Sequence, residues 1–178
     1  QSQMWIFAIY EILRTWRQRA LDMIKWQKNG AILQMIENFS RHKSTRDIGI
    51  MHRLEVLQAV HDDPSFIDVL HKDLKRLHFT FSELEFLRIT LAKHEVRGQK
   101  NSFAVAPGYA RINSSCGSLD YQMDAGSYVI GFINRRDIAD QIRELPEKEA
   151  PNDAKIAEFD RFMAGKVDTT MLPDDGDF

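Results

Sequence analysis

The chain is poor in cysteine and has no apolar run long enough to cross a bilayer. Cys116 is the only cysteine among 178 residues, which excludes an internal disulfide and a zinc site built from several cysteines. A reducing, cytoplasmic compartment is the natural interpretation. The apolar stretch MWIFAIY (residues 4–10) is too short to span a membrane and has no basic segment before it. We therefore expect no membrane partner, transmembrane helix or signal peptide.

The chain also lacks a strong excess of charge of either sign. Its formal net charge of −2 excludes a strongly basic nucleic-acid binder, although residues 1–28 carry a local balance of +3. With 43% hydrophobic and 28% charged residues, the composition is that of an ordinary globular domain. A chain of this length buries roughly 70% of its unfolded surface, so it needs neither a disulfide nor a metal for stability.

Apolar residues recur at helical spacing over residues 3–95, which predicts about five helices with short connections. Such an arrangement is a helical bundle. The predicted boundaries between these helices are a break at Asn29-Gly30, a cap at Ser44 or Thr45, a first-turn proline at Pro64, and a capping box formed by Ser82 and Glu85.

The periodicity changes after the bundle. The segments YARIN, GSLDYQMD and SYVIGFI are separated by turn compositions, which predicts a small antiparallel meander with FAVAPG as a further edge strand. NRRDIADQIREL then predicts a helix that is capped by Asn134 and Asp137. Residues 147–178 carry nine acidic and four basic side chains, and only DAKIAEFDRFMAG within them has a helical pattern.

These patterns predict a mostly helical α+β protein, in which an N-terminal helical bundle is followed by a small antiparallel β-meander and a C-terminal helix. The expected regions are a bundle over 1–97, a sheet with a helix packed on the bundle over 98–146, and an acidic, partly disordered tail over 147–178. The first helix is apolar over more than one narrow stripe, which predicts a second partner for it and hence a homodimer.

One pair of side chains offers chemistry near the end of the last predicted bundle helix. Arg88 and His94 lie in FLRITLAKHE, six positions apart. A guanidinium presents a planar fork of donors to a phosphodiester, and an imidazole can exchange a proton near neutral pH. Positions six apart project about 120° from one another on a helix, so the pair converges only at an altered last turn or across a subunit interface.

The stretch resembles the R-x(4–6)-H motif of the HEPN superfamily, whose members are helical bundles that usually dimerise and are in many cases ribonucleases of prokaryotic toxin and defence systems. The resemblance covers residues 3–95, with IYEILRTWRQR similar to a first helix that carries an inward acidic residue. It implies that Arg88 binds phosphate, that His94 acts as general acid or base, and that Glu11 orients one of them. The implied partner is RNA, and the implied activity is metal-independent endoribonuclease cleavage.

Other interpretations stay open. Arg88 can instead be a solvated side chain paired with Glu85 or Glu95, and a histidine near a helix C-terminus is favoured by the helix dipole. The pair Arg46 and His52 has the same spacing. The histidines include no metal-binding signature, so we expect no metal and no cofactor. The alternative function is a non-catalytic dimerisation or sensor module whose small sheet binds a protein partner or a ligand.

Two arginines stand out at the start of the predicted helix after the meander. Arg135 and Arg136 occupy its first turn, where the helix dipole disfavours positive charge. We therefore expect an anionic group near them, which a neighbouring carboxylate would also satisfy.

Overall fold

The computed structural model describes residues 1–41, 47–93, 110–124 and 129–165. These residues form six helices and one three-stranded antiparallel sheet, which confirms the predicted mostly helical α+β fold. The helices are α1 (Ser2–Lys28), α2 (Ile32–Arg41), α3 (Ile48–Asp62), α4 (Phe66–Lys93), α5 (Arg135–Glu144) and α6 (Asp153–Met163), and the strands are β1 (Ala110–Ile112), β2 (Leu119–Asp124) and β3 (Val129–Asn134).

The first helix ends where the sequence predicts. Gly30 adopts a φ of 68°, a left-handed conformation that a residue with a side chain rarely takes. Its amide donates to the Gln27 carbonyl at 3.1 Å, and the amide of Ala31 donates to the Trp26 carbonyl at 2.8 Å. These bonds satisfy carbonyl groups of the last turn and allow α2 to begin at Ile32.

The prediction of a separate helix at Ser82 is wrong, because α4 is continuous over 28 residues and the bundle region therefore holds four described helices. The preceding HFTF contains neither glycine nor proline, so nothing in the backbone interrupts the helix. Thr80 and Ser82 are only 2% and 3% exposed. Tertiary packing encloses these polar residues inside the helix, whereas the local pattern places them at a boundary.

The cap of α3 also differs from the prediction. Asp47 is the N-cap, and its Oδ1 accepts a hydrogen bond from the Ile50 amide at 3.0 Å. Ser44 and Thr45 lie outside the described residues. The aspartate performs the same chemistry as the predicted hydroxyl, because either oxygen satisfies an amide of the first turn.

The sheet is a meander in the order β1-β2-β3, with Tyr121 of β2 paired to Ala110 and Ile133. It leads directly into α5, where both hydrogen bonds of the predicted Asn134 and Asp137 capping box are present. FAVAPG lies outside the described residues. The described part of the predicted acidic tail includes α6, which docks on α4 through a 2.7 Å ion pair between Lys75 and Asp153.

Two hydrophobic clusters form the core. The larger cluster joins the first half of α1 to α4, the sheet, α5 and α6, and its fully enclosed members include Ile6, Leu84, Phe86 and Ile138. The smaller cluster joins the end of α1 to α2, α3 and the start of α4. Within the described ranges, no helix is both long and apolar enough to cross a membrane.

Candidate functional site

Arg88 lies at the interface between α4 and α1, half-buried against an aromatic ring. Its guanidinium carbon is 5.3 Å from the centroid of the Tyr10 ring. Tyr10 stacks on Phe81 with the ring centroids 5.5 Å apart and the planes inclined by 22°. The guanidinium of Arg17 lies 5.2 Å from the Phe81 ring centre. A chain of contacts therefore runs from Arg17 through two aromatic rings to Arg88.

The contact with the Tyr10 ring leaves the charge of Arg88 in place, because a neutral aromatic ring attracts a cation without forming an ion pair with it. None of the ion pairs between described residues includes Arg88. The aromatic contact thus holds the side chain without neutralising it, which is a suitable arrangement for binding a phosphate.

Tyr10 keeps its proton in this environment. Burial raises the pKa of its hydroxyl, Glu85 and Glu11 raise it further, and the positive charges of Arg88 and Arg14 oppose that rise. The neutral ring at Arg88 consequently provides its electron-rich face but no negative charge. Arg88 of α4 and Tyr10 of α1 are thus in contact although they lie on different helices.

Of the other two predicted site residues, the structure describes only Glu11. His94 directly follows the last residue of α4 and lies outside the described residues, so of this pair the structure describes the arginine alone. The expectation of an inward-facing Glu11 is wrong, because its side chain is 49% exposed and accepts a 2.8 Å ion pair from Nε of Arg14. That local pair is favoured because the residues lie three apart on one helix.

The second pair of the same spacing has no comparable setting. His52 is exposed on α3, with its Nδ1 3.7 Å from a carboxylate oxygen of Glu55. Arg46 lies outside the described residues. The described ranges contain no group of three or more histidine, cysteine, aspartate or glutamate side chains that could hold a metal ion.

Thr90, two residues after Arg88, is a buried polar residue that the sequence pattern did not predict. It is 2% exposed, and its Oγ1 has no hydrogen-bond partner among the residues that the structure describes. An unpaired buried hydroxyl costs about 1–3 kcal/mol relative to a paired one. The last turns of α4 therefore combine an unpaired hydroxyl with a guanidinium that is not in an ion pair with any described residue.

A second polar arrangement lies between α4 and α5. Glu83 accepts a 2.8 Å hydrogen bond from Nε2 of Gln141, while Oε1 of Gln141 is buried without a partner in the described part of the chain. Burial raises the pKa of the Glu83 carboxyl, and the Gln141 hydrogen bond opposes that rise. Both residues line a cavity of about 770 Å³ that also borders α6. Sequence reasoning missed this pair, whose only signal is a glutamate on the apolar side of α4.

Comparison with family models, with curated proteins and with solved structures finds no match to this chain. The resemblance to the HEPN superfamily therefore stays a prediction that depends on its quoted motif.

Proposed function

We propose that the protein is a HEPN-like, metal-independent endoribonuclease of the prokaryotic toxin or defence type, in which Arg88 binds the scissile phosphate and His94 transfers the proton. The observation that carries this proposal is the position of Arg88, half-buried over Tyr10 near the end of α4 and without a carboxylate partner among the described residues. A guanidinium held in this way presents two donors to one phosphate at little entropic cost.

The chemistry follows from the two residue types. His94 removes the proton from a ribose 2′-hydroxyl, or returns a proton to the leaving 5′-oxygen, because an imidazole titrates near neutral pH. The 2′-oxygen forms a bond to phosphorus while the bond to the 5′-oxygen breaks, which leaves a 2′,3′-cyclic phosphate. Glu11 enters as the residue that positions Arg88 or His94, which requires it to leave its ion pair with Arg14.

A homodimer belongs to this proposal. Met4, Ile12 and Trp16 of α1 are 76%, 63% and 37% exposed, although all three are apolar. Ile12 and Trp16 line a groove of about 570 Å³ together with Val69 of α4. A second copy that covers this face would remove apolar surface from water.

The test is an RNA cleavage assay on the purified protein in EDTA. We expect cleavage with cyclic phosphate ends, a loss of about 10²–10⁴ in rate for His94→Ala, and a clear loss for Arg88→Lys, whose ammonium lacks the planar fork. His52→Ala is the matched control, because this exposed histidine belongs to the alternative pair and should leave the rate unchanged. Circular dichroism checks that each variant keeps its fold.

Cleavage that requires a divalent metal, or full activity of His94→Ala, would contradict this mechanism. Sedimentation as a monomer at tens of micromolar would contradict the dimer, and Ile12→Glu should shift a dimer towards monomer. The Ile12 side chain is exposed, so this change does not disturb the core of the protomer.

A second candidate function is a non-catalytic module whose sheet binds a protein partner. Ile112 and Leu119 are paired across β1 and β2, and they are 75% and 37% exposed. Phe132 of β3 is 41% exposed and carries the guanidinium of Arg111 4.2 Å from its ring centre. Apolar side chains on a sheet surface favour contact with another protein. Wild-type protein that cleaves no RNA but keeps a dimer would favour this function.

A further inference from the structure

Three arginines border one cavity next to the sheet. Arg135, Arg136 and Arg143 of α5 line a space of about 350 Å³, whose other walls are Trp5, Cys116, Ser118 and Ala139. The arginines share a side of α5, because Arg143 lies seven and eight residues after Arg136 and Arg135, which is about two helical turns. Neither Arg88 nor Glu11 is among the residues that line this cavity.

The carboxylates close to this end of α5 accept hydrogen bonds from amide groups of other residues. Asp137 accepts from the Asn134 amide at 3.1 Å, which completes the capping box. Asp120 accepts from Nδ2 of Asn134 at 2.9 Å and from Nδ2 of Asn113 at 3.1 Å. Each carboxylate therefore performs a structural task in the turn, and neither forms an ion pair with Arg135 or Arg136.

The three arginines differ in whether they form an ion pair. Arg143 forms a 2.6 Å ion pair with Asp140, its neighbour three residues earlier on α5. Arg135 and Arg136 take part in none of the ion pairs formed between described residues. Both are exposed, so their charges face the cavity and solvent.

Arg135 and Arg136 lie in the first turn of α5, where the helix dipole disfavours positive charge. The amides of Arg136 and Asp137 already donate to Oδ1 of Asn134, so the arginine side chains, and not the helix amides, offer donors to a ligand. A guanidinium fork matches the oxygens of a phosphate. Ser118, which is 6% exposed, is a further polar residue that lines the cavity.

We propose that this arginine cavity binds a phosphoryl group. The volume is near the lower end of the range for small-ligand sites, which suits a phosphate with an attached sugar and not a large cofactor. The group belongs either to the backbone of an RNA or to a small phosphorylated molecule, and both present the same tetrahedral anion to Arg135 and Arg136. The site is separate from the described part of the proposed catalytic site, because neither Arg88 nor Glu11 lines it.

The experiment measures binding to the full-length protein of two probes, a labelled 2′-O-methyl RNA ten-mer and adenosine monophosphate. The 2′-O-methyl groups block the nucleophile of the proposed cleavage reaction, so binding is read separately from activity. The test variant is Arg135→Gln with Arg136→Gln. Its matched control is Arg41→Gln with Arg161→Gln, which removes the same charge from two exposed arginines that do not line the cavity.

We expect the test variant to weaken binding about tenfold or more, because each charge-assisted hydrogen bond contributes substantially, and the control to change it less than about twofold. Tight binding of the ten-mer that adenosine monophosphate does not displace identifies RNA as the source. Displacement by adenosine monophosphate at similar affinity identifies a small phosphorylated ligand. Equal weakening by both variants, or no binding of either probe at millimolar concentration, would overturn the site.

Thermal unfolding supplies a second measurement that a folding defect cannot imitate. Without ligand, the Arg135 and Arg136 variant should melt at or above the temperature of the wild type, since two charges that oppose the helix dipole are removed. Added inorganic phosphate should raise the melting temperature of the wild type and of the control pair, but not that of the test variant. A melting temperature that phosphate raises equally in all three proteins would contradict the proposal.

Discussion

The two hydrophobic clusters hold opposite ends of α1 by different means. The larger cluster encloses side chains from α1, α4, the sheet, α5 and α6, so elements far apart in sequence meet around it. The smaller cluster has three buried members, Ile32, Leu57 and Val60, surrounded by half-buried side chains. The comparison shows that the proposed catalytic arginine lies on the part of the bundle that distant elements stabilise, while α2 and α3 depend on local packing.

The same substitution in each cluster should give unequal losses of stability. Leu84 and Leu57 are both 0% exposed, and Leu→Ala in a core costs about 2–5 kcal/mol depending on how far the site can collapse. We expect Leu84→Ala to lower the free energy of unfolding by about 4 kcal/mol and Leu57→Ala by about 2 kcal/mol, because half-buried neighbours can relax into the smaller cavity. Urea unfolding measures both values.

Leu33→Ala serves as the control for this comparison. Its side chain is 56% exposed on α2, so the substitution should change the free energy of unfolding only slightly. Equal losses for Leu84→Ala and Leu57→Ala would show that the two clusters are equally rigid.

Arg53 allows a second comparison of the two clusters, because it contributes to the smaller cluster as a cation and not as a hydrophobic side chain. Its guanidinium carbon lies 5.5 Å from the Trp26 ring centre and 4.6 Å from that of Phe39. Arg53→Ala should cost about 1–2 kcal/mol, since two cation–π contacts are lost together. Hydrogen exchange should accelerate in α2 and α3 and stay unchanged in α4, whereas exchange that accelerates everywhere would contradict a local role.

Glu83→Gln should change the free energy of unfolding less than the substitutions in the two clusters, and it should raise this free energy where they lower it. Glu83→Gln keeps an acceptor for Nε2 of Gln141 and adds a donor that can reach the unpaired Gln141 Oε1. We expect the variant to be more stable than the wild type by about 1 kcal/mol at pH 7, because a buried orphan acceptor gains its partner. Chemical unfolding at several pH values measures this difference.

The pH dependence follows from the raised pKa of Glu83. Below the unfolded value of about 4.3, both states hold the proton and the carboxyl contributes no pH-dependent difference. As the pH rises through the higher folded pKa, the unfolded state releases its proton first, and the wild type loses stability relative to Glu83→Gln. The advantage of the variant should therefore grow from pH 4 to neutrality. Glu158→Gln, on an exposed glutamate, should show no such trend.

Several elements were predictable from the sequence because their causes are local. The glycine that ends α1 and the Asn134 and Asp137 capping box depend on atoms within a few residues of one another. The meander was predictable because alternation and turn residues describe each strand separately. The continuity of α4 was not, since the Ser82 motif is equally compatible with a helix start and a buried helix interior.

The candidate site divides in the same way. The motif identified Arg88, but the sequence could not show that Tyr10 and Phe81 would stack beside it, because these contacts join two helices. Glu11 was expected inside, yet its nearest cation, Arg14, holds it at the surface. The two cations in the first turn of α5, Arg135 and Arg136, were visible in the sequence, whereas the cavity that they line was not.

By itself the sequence determined the type and order of most helices and strands, the glycine that ends α1 and the capping box of α5, because backbone hydrogen bonds close over short separations. Only the tertiary structure decided that α4 passes unbroken through Ser82, that Arg88 lies on Tyr10, and that Gln141 leaves one acceptor unpaired beside Glu83. The physical reason is that burial and electrostatic environment depend on which distant surfaces meet. A residue's neighbours along the chain do not specify those surfaces.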